Sequence, residues 1–182
     1  MSLLDRQVIS KAIYYLTKHP ELNKVAINLS AQGFSDERLL PLIQEKLHQY
    51  NVDPCRIIFE LTESAGLSNI TATQSMVAKL SALGCEFSID DFGTGFSTFN
   101  YLKQLPAHSV KIDGSFIIDL ATNPVDLALV KAIYEVATAL GKKTVAEFVE
   151  NEETLQLLAT IGVTYAQGYH FGKPKPVEEL FK

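Results

Sequence analysis

The chain has little cysteine, no excess of positive charge and no long hydrophobic run, and each shortage closes a class of function. Its 182 residues include 2 cysteines, Cys55 and Cys85. They are too few for a disulfide framework and lack the spacing of a Cys-x-x-Cys metal clip, so both read as reduced, buried thiols with no redox role. Against 21 acidic residues stand 16 basic ones, a formal net charge of -5. That balance argues against wrapping a nucleic-acid backbone or lying on an anionic membrane, while leaving room for a small anionic ligand. No stretch reaches the roughly 18 apolar residues of a membrane span, and Met1-Ser2-Leu3-Leu4-Asp5-Arg6 lacks the apolar core of a signal peptide. The expectation is a cytoplasmic protein that binds neither DNA nor RNA and makes no membrane contact. With no linker, low-complexity run or charge block, residues 1–182 are expected to form a single domain.

What is present is an ordinary globular composition, 47% hydrophobic and 20% charged. A chain of this length should bury roughly 70% of the surface exposed when unfolded, so its core needs no staple. Six short apolar runs, at residues 25–29, 56–61, 86–89, 109–112, 143–146 and 163–167, are predicted strands. Between them, helical spacing recurs at 35–50, 69–83, 97–104, 125–140 and 152–161, with Ser35 as the expected cap of the first and Gly84, Gly141 and Gly162 as stops. A further helix opens the chain with Leu4, Val8, Ile9, Ala12, Ile13 and Leu16 on one face, and no strand precedes it. Such alternation marks βα units with parallel strands. A complete eight-stranded barrel takes about 250 residues, so six units fit either a barrel short of its first strands or a complete open sheet.

At or just past every predicted strand end lies a residue of metal-ligand or acid-base type. These are Asn28, Glu60 with Glu63, Asp90 with Asp91, Lys111 with Asp113, Glu147 with Glu150, and Gln167. In a parallel α/β fold all strand C-termini share one face, where such folds carry their sites. Carboxylates gathered there repel one another unless cations neutralise them, and oxygen donors without His or Cys suit Mg²⁺ or Mn²⁺ better than Zn²⁺. Two such ions about 3.5 to 4 Å apart would activate a water and stabilise both oxygens of an in-line displacement at phosphorus. Lys111, between Val110 and Ile112, points opposite to its apolar neighbours and needs an anion, either a phosphate oxygen or a structural partner. Any single Asp here could merely cap a turn, so the set carries the argument. Gly93 and Gly95 suit a plain turn as well as a phosphate loop, and His170 is the one histidine near the expected mouth, while Tyr169 and Phe171 read as packing residues.

In order, Asn28-Leu29-Ser30, Glu60-Leu61-Thr62-Glu63, Asp90-Asp91-Phe92-Gly93-Thr94-Gly95, Lys111-Ile112-Asp113, Ala146-Glu147-Phe148-Val149-Glu150 and Gln167-Gly168-Tyr169 resemble the EAL domain, the bacterial cyclic di-GMP phosphodiesterase family. The resemblance runs from about residue 4 to about residue 180. It implies an α/β fold, a triose-isomerase-type (β/α) barrel with one atypical strand, here N-terminally truncated to about six βα units. It implies two divalent cations, Mg or Mn, on Asn28, Glu60, Asp90, Asp91 and Glu147, and hydrolysis of cyclic di-GMP to the linear dinucleotide. Lys111 would contact the attacking water, making Lys111, Glu147, Asp90 and Asp91 the catalytic group. Glu150, Gln167 and Asp113 would complete the mouth or support its loops, and Glu63 would anchor the loop at residues 91–98. A homodimer through that region and an upstream sensory or diguanylate cyclase domain are the partners implied.

Two departures stand out. The Glu-Ala-Leu motif that names the family, with its metal-ligating glutamate, is not among these residues, so the chain reads as a piece beginning downstream of it, Met1-Ser2-Leu3 as an added leader, and the fragment as weak or inactive. Phe148 stands where the family commonly carries Gly, filling space near the mouth without removing a ligand. The alternative is a degenerate cyclic di-GMP-binding receptor, against which the intact ligand positions argue. A receiver-like open sheet would hold one metal and bind no dinucleotide.

Overall fold

The computed structural model describes residues 2–62, 70–94 and 99–179. Glu63, Gly95 and the expected helix starts at residues 69 and 97 lie outside them. The chain forms two compact units, Met1–Val110 and Lys111–Lys182.

The first unit runs α1 (Ser2–Lys18), β1 (Val25–Asn28), α2 (Leu39–Tyr50), β2 (Ile57–Thr62), α3 (Ile70–Ala82), β3 (Glu86–Phe92) and α4 (Phe99–Gln104), and ends within β4 (Ser109–Ile112). Strands β1, β2 and β3 pair in parallel in that order. Side chains alternate across such strands. Ile27, Phe59, Leu61, Phe87 and Ile89 are buried on one face, which leaves the other face to polar groups. Helix α1 packs on α2 and β1, burying Ile9, Ile13 and Leu16. Two expectations shift here. Helix α2 starts at Leu39 rather than at a Ser35 cap, because Ser35 closes a tight 3-10 turn and Asp36 Oδ1 takes the Arg38 N–H at 3.0 Å. Strand β3 continues through Asp90, Asp91 and Phe92 instead of stopping at Ile89.

The cysteines divide. Cys85, at the start of β3, is buried as expected, but Cys55 is exposed. It sits in the 3-10 turn that precedes β2, where Asp53 Oδ1 accepts its backbone N–H at 3.0 Å and holds the turn at the surface. Burial pushes the Cys85 thiol up to about 12, and the hydrogen bond to Asp53 raises that of Cys55. Since the thiolate is the nucleophile, iodoacetamide at mildly alkaline pH is expected to modify Cys55 slowly and Cys85 only after denaturation. Peptide mass mapping checks this; equal labelling of both in the folded protein would contradict the burial of Cys85.

The second unit continues from β4 through α5 (Pro124–Ala139), β5 (Lys143–Ala146), α6 (Glu152–Ile161) and β6 (Tyr165–Ala166), with the strands in the order β4-β5-β6. Asn123 caps α5 ahead of Pro124, and Asn151 caps α6 through the Thr154 N–H at 2.8 Å. Gly162 ends α6 at φ 103°, and a Cβ there would meet the Tyr134 hydroxyl at 2.5 Å. Strand β6 is shorter than the predicted 163–167. Thr164 and Thr144 exchange side chain to backbone bonds at 3.2 Å in place of the ladder, while the Gln167 N–H reaches the Ala146 carbonyl at 2.8 Å beyond the strand end. Among the described residues, no helix is long and apolar enough to cross a membrane.

Candidate metal and phosphodiester site

In the first unit the register sets Asn28 beside Glu60 and Thr62 beside Asp90. Because residues two apart face the same side, Asn28, Glu60, Thr62, Ser88 and Asp90 share the face opposite the apolar core. Glu60 and Asp90 are buried to 9% and 7% exposure, while Asn28 ends β1 in an exposed position. Asp91 is half-buried at φ 53°, a left-handed conformation that Asp tolerates better than most residues and that breaks the strand alternation at this point. Thr94 Oγ1 donates to its carbonyl at 3.1 Å. Behind Asn28, Ser30 Oγ donates to the buried Asp5 of α1 at 2.5 Å. Helical periodicity gives no sign of that contact.

The second unit holds a buried polar group of its own. Lys111 Nζ lies 2.9 Å from Glu147 Oε1, and Gln167 Nε2 donates to the same oxygen at 2.7 Å. Lys111 and Glu147 are 6% and 7% exposed, so the ammonium supplies the countercharge that a buried carboxylate requires. Asp113 does local work: its Oδ1 accepts the Ser115 N–H at 2.9 Å and caps the turn Gly114–Phe116. Glu150 is exposed and lines, with Phe148, Gln167, Tyr169, Lys173 and Pro174, a cavity of about 550 Å³. Tyr169 and Phe171 are exposed, contrary to the packing role expected of them, because the chain after β6 runs along the surface. Lys173 stacks over the Tyr169 ring at 5.3 Å, and His170 Nε2 sits 3.2 Å from Glu152 Oε2.

Two features of this group escape sequence reasoning. Sharing of one Glu147 oxygen by Lys111 and Gln167 has no local signature, since Gln167 lies 20 residues beyond Glu147. Phe148 adopts φ 53°, which residue type does not signal and which only the family resemblance, with its common Gly at this position, hints at.

The donor set is oxygen throughout: the Asn28 amide and the carboxylates of Glu60, Asp90 and Asp91 in the first unit, and that of Glu147 in the second. Such groups fit a hard divalent cation and lack the imidazole or thiolate that zinc prefers. The buried carboxylates also carry charge of the sign a cation would neutralise.

Comparison with known proteins gives a consistent result. The family model described as EAL domain matches residues 1–174. Among curated relatives, the cyclic di-GMP phosphodiesterase PdeB of Shewanella oneidensis is 39% identical over 97% of this chain and 21% of its own length. The cyclic di-GMP phosphodiesterase PdeF of Escherichia coli is 36% identical over 97% of this chain and 24% of its own length. The chain thus spans about a fifth to a quarter of these relatives. Among solved structures, the MucR phosphodiesterase of Pseudomonas aeruginosa, in complex with cyclic di-GMP, superposes with a TM-score of 0.92 at 36% identity, covering 98% of this chain and 79% of that one.

Proposed function

Because the chain belongs to the EAL domain family, we propose that it is the greater part of a metal-dependent phosphodiesterase domain that opens cyclic di-GMP to the linear dinucleotide. The observation that carries this reading is the buried Lys111-Glu147-Gln167 group at the strand ends of the second unit. A receptor that only bound nucleotide would have no need to keep the oxygen donors Asn28, Glu60, Asp90, Asp91 and Glu147 at its strand ends. In this reading Asn28, Glu60, Asp90, Asp91 and Glu147 hold two divalent cations, Mg²⁺ or Mn²⁺. When bound, the ions supply a nucleophilic water at neutral pH and charge stabilisation at phosphorus.

The chain's own residues do the positioning. Lys111 orients the attacking water, and since its ammonium carries three N–H donors, bonding Glu147 and a water oxygen are compatible. Gln167 fixes the Glu147 carboxylate from the other side, so the group keeps one rotamer when substrate arrives. Glu150 and the cavity beside it accept part of the nucleotide. Asp113 supports the loop that follows Lys111. The same reading includes a homodimer, a cytoplasmic location and a sensory or diguanylate cyclase partner domain.

The test incubates this chain, and a version extended upstream to the length of its solved relatives, with cyclic di-GMP and Mg²⁺ or Mn²⁺, and follows the nucleotide by anion-exchange chromatography. The extended protein is expected to yield the linear dinucleotide and Glu60→Gln to reduce the rate by about 10³-fold or more, the order of effect of losing a group that stabilises transition-state charge. Nucleotide that binds and persists would replace the enzyme by a receptor. Absence of binding would remove both readings.

A further inference from the structure

We propose that Phe148 is a positioning residue, whose ring, seated on Gly114, fixes the Glu147 carboxylate between Lys111 and Gln167; the inference rests on the phosphodiesterase reading only for its kinetic arm. Phe148 is a bulky side chain at φ 53°, a conformation it holds only at a cost and that its surroundings must enforce. The enforcing contacts lie on both sides. The Glu147 N–H bonds the Ile112 carbonyl of β4 at 3.3 Å, whereas the Val149 N–H bonds the Gln167 carbonyl beyond β6 at 3.0 Å. In a regular strand residues two apart bond the same neighbour, so the left-handed residue between them switches the chain from one neighbour to the other, as a bulge does. That switch occurs one residue after the glutamate shared by Lys111 and Gln167.

The ring completes the arrangement. A Cβ at Gly114 would lie 2.2 Å from Phe148 Cδ2 and 2.5 Å from Cγ, so the ring occupies the volume of a missing side chain. Gly114 opens the turn directly after Lys111-Ile112-Asp113, and that turn is capped by Asp113. The phenylalanine that follows Glu147 therefore rests on the segment that follows Lys111, and the two partners of the ion pair are braced against each other by a contact outside it. Gly114 has no left-handed backbone to protect, which leaves the Phe148 ring as the obstacle to a larger residue there. Phe148 nevertheless stays 56% exposed, so burial of apolar surface alone does not account for its place.

The experiment is a cycle of Gly114→Ala and Phe148→Gly in the chain and in its upstream-extended form, with two readouts. The first is the ammonium signal of Lys111 in protein labelled with ¹⁵N-lysine, identified by its loss in Lys111→Met; it needs neither metal nor substrate. Phe148→Gly alone is expected to shift or broaden that signal, and Gly114→Ala to do so when Phe148 is present but to add no further change in the Phe148→Gly background. The second is turnover of cyclic di-GMP, where Gly114→Ala should lower kcat by about 100-fold beside Phe148, the effect of a misplacement near 1 Å, with KM little changed, and should cost almost nothing when combined with Phe148→Gly. An equal effect of Gly114→Ala in both backgrounds overturns the proposal. So does a Phe148→Gly variant whose only change is a raised KM, because the ring would then belong to the substrate surface. If no variant, parent included, turns over the nucleotide, the phosphodiesterase reading falls while the Lys111 signal still decides whether Phe148 positions the pair.

Discussion

Lys111→Met is expected to lower the thermal unfolding midpoint by about 9 °C. Removing one partner of a buried ion pair takes a countercharge from the other, at about 3 kcal/mol, and in a protein of this size each kcal/mol moves the midpoint by about 3 °C. Both groups are nearly inaccessible, 6% and 7% exposed, so water cannot take the place of the lost partner. The neutral pair Lys111→Met with Glu147→Gln should recover at least half of the loss, because glutamine can still accept from Gln167 and the buried carboxylate charge is gone as well. Calorimetry on the four proteins checks this. A single variant that melts within about 2 °C of the parent would mean that the pair is worth no more than a surface contact.

Divalent cations are expected to produce the second large effect. If oxygen donors on Glu60 and Asp90 bind Mn²⁺ or Mg²⁺ in the folded state only, raising the ion to about 100 times its Kd stabilises the fold by about 2.7 kcal/mol, a rise of about 8 °C. Glu60→Gln and Asp90→Asn remove one ligand charge each while keeping shape, and each should reduce that rise to a small fraction. The measurement is a thermal titration with metal in chelator-treated protein, and it requires no substrate. A parent protein whose midpoint ignores both ions to saturation would withdraw the metal assignment and leave the fold untouched.

Much of this is legible in the sequence because it is local or periodic. The six strands appear where the apolar runs fall, and Gly84, Gly141 and Gly162 take left-handed backbones next to the helices they terminate. The ligand-type residues stand at the strand ends because a strand that alternates faces can carry Phe59 and Leu61 inward to a core while turning Glu60 the other way. What misleads is equally physical. Ser35 has the chemistry of a helix cap, but the competing turn and the Asp36 side chain take the hydrogen bonds that a cap would make. Residue type alone sends Cys55 to the core, yet a capped turn before β2 holds it outside.

The sequence by itself determined the α/β class, the βα order, the family and the identity of the oxygen donors, since each depends on spacing along the chain or on residue chemistry. Only the tertiary structure decided that Lys111 and Gln167 share one oxygen of Glu147 and that Phe148 takes the space of a side chain at Gly114. Those pairs are separated by a whole βα unit or more. Whether such residues meet is set by how helices and strands stack, which neither periodicity nor residue type encodes.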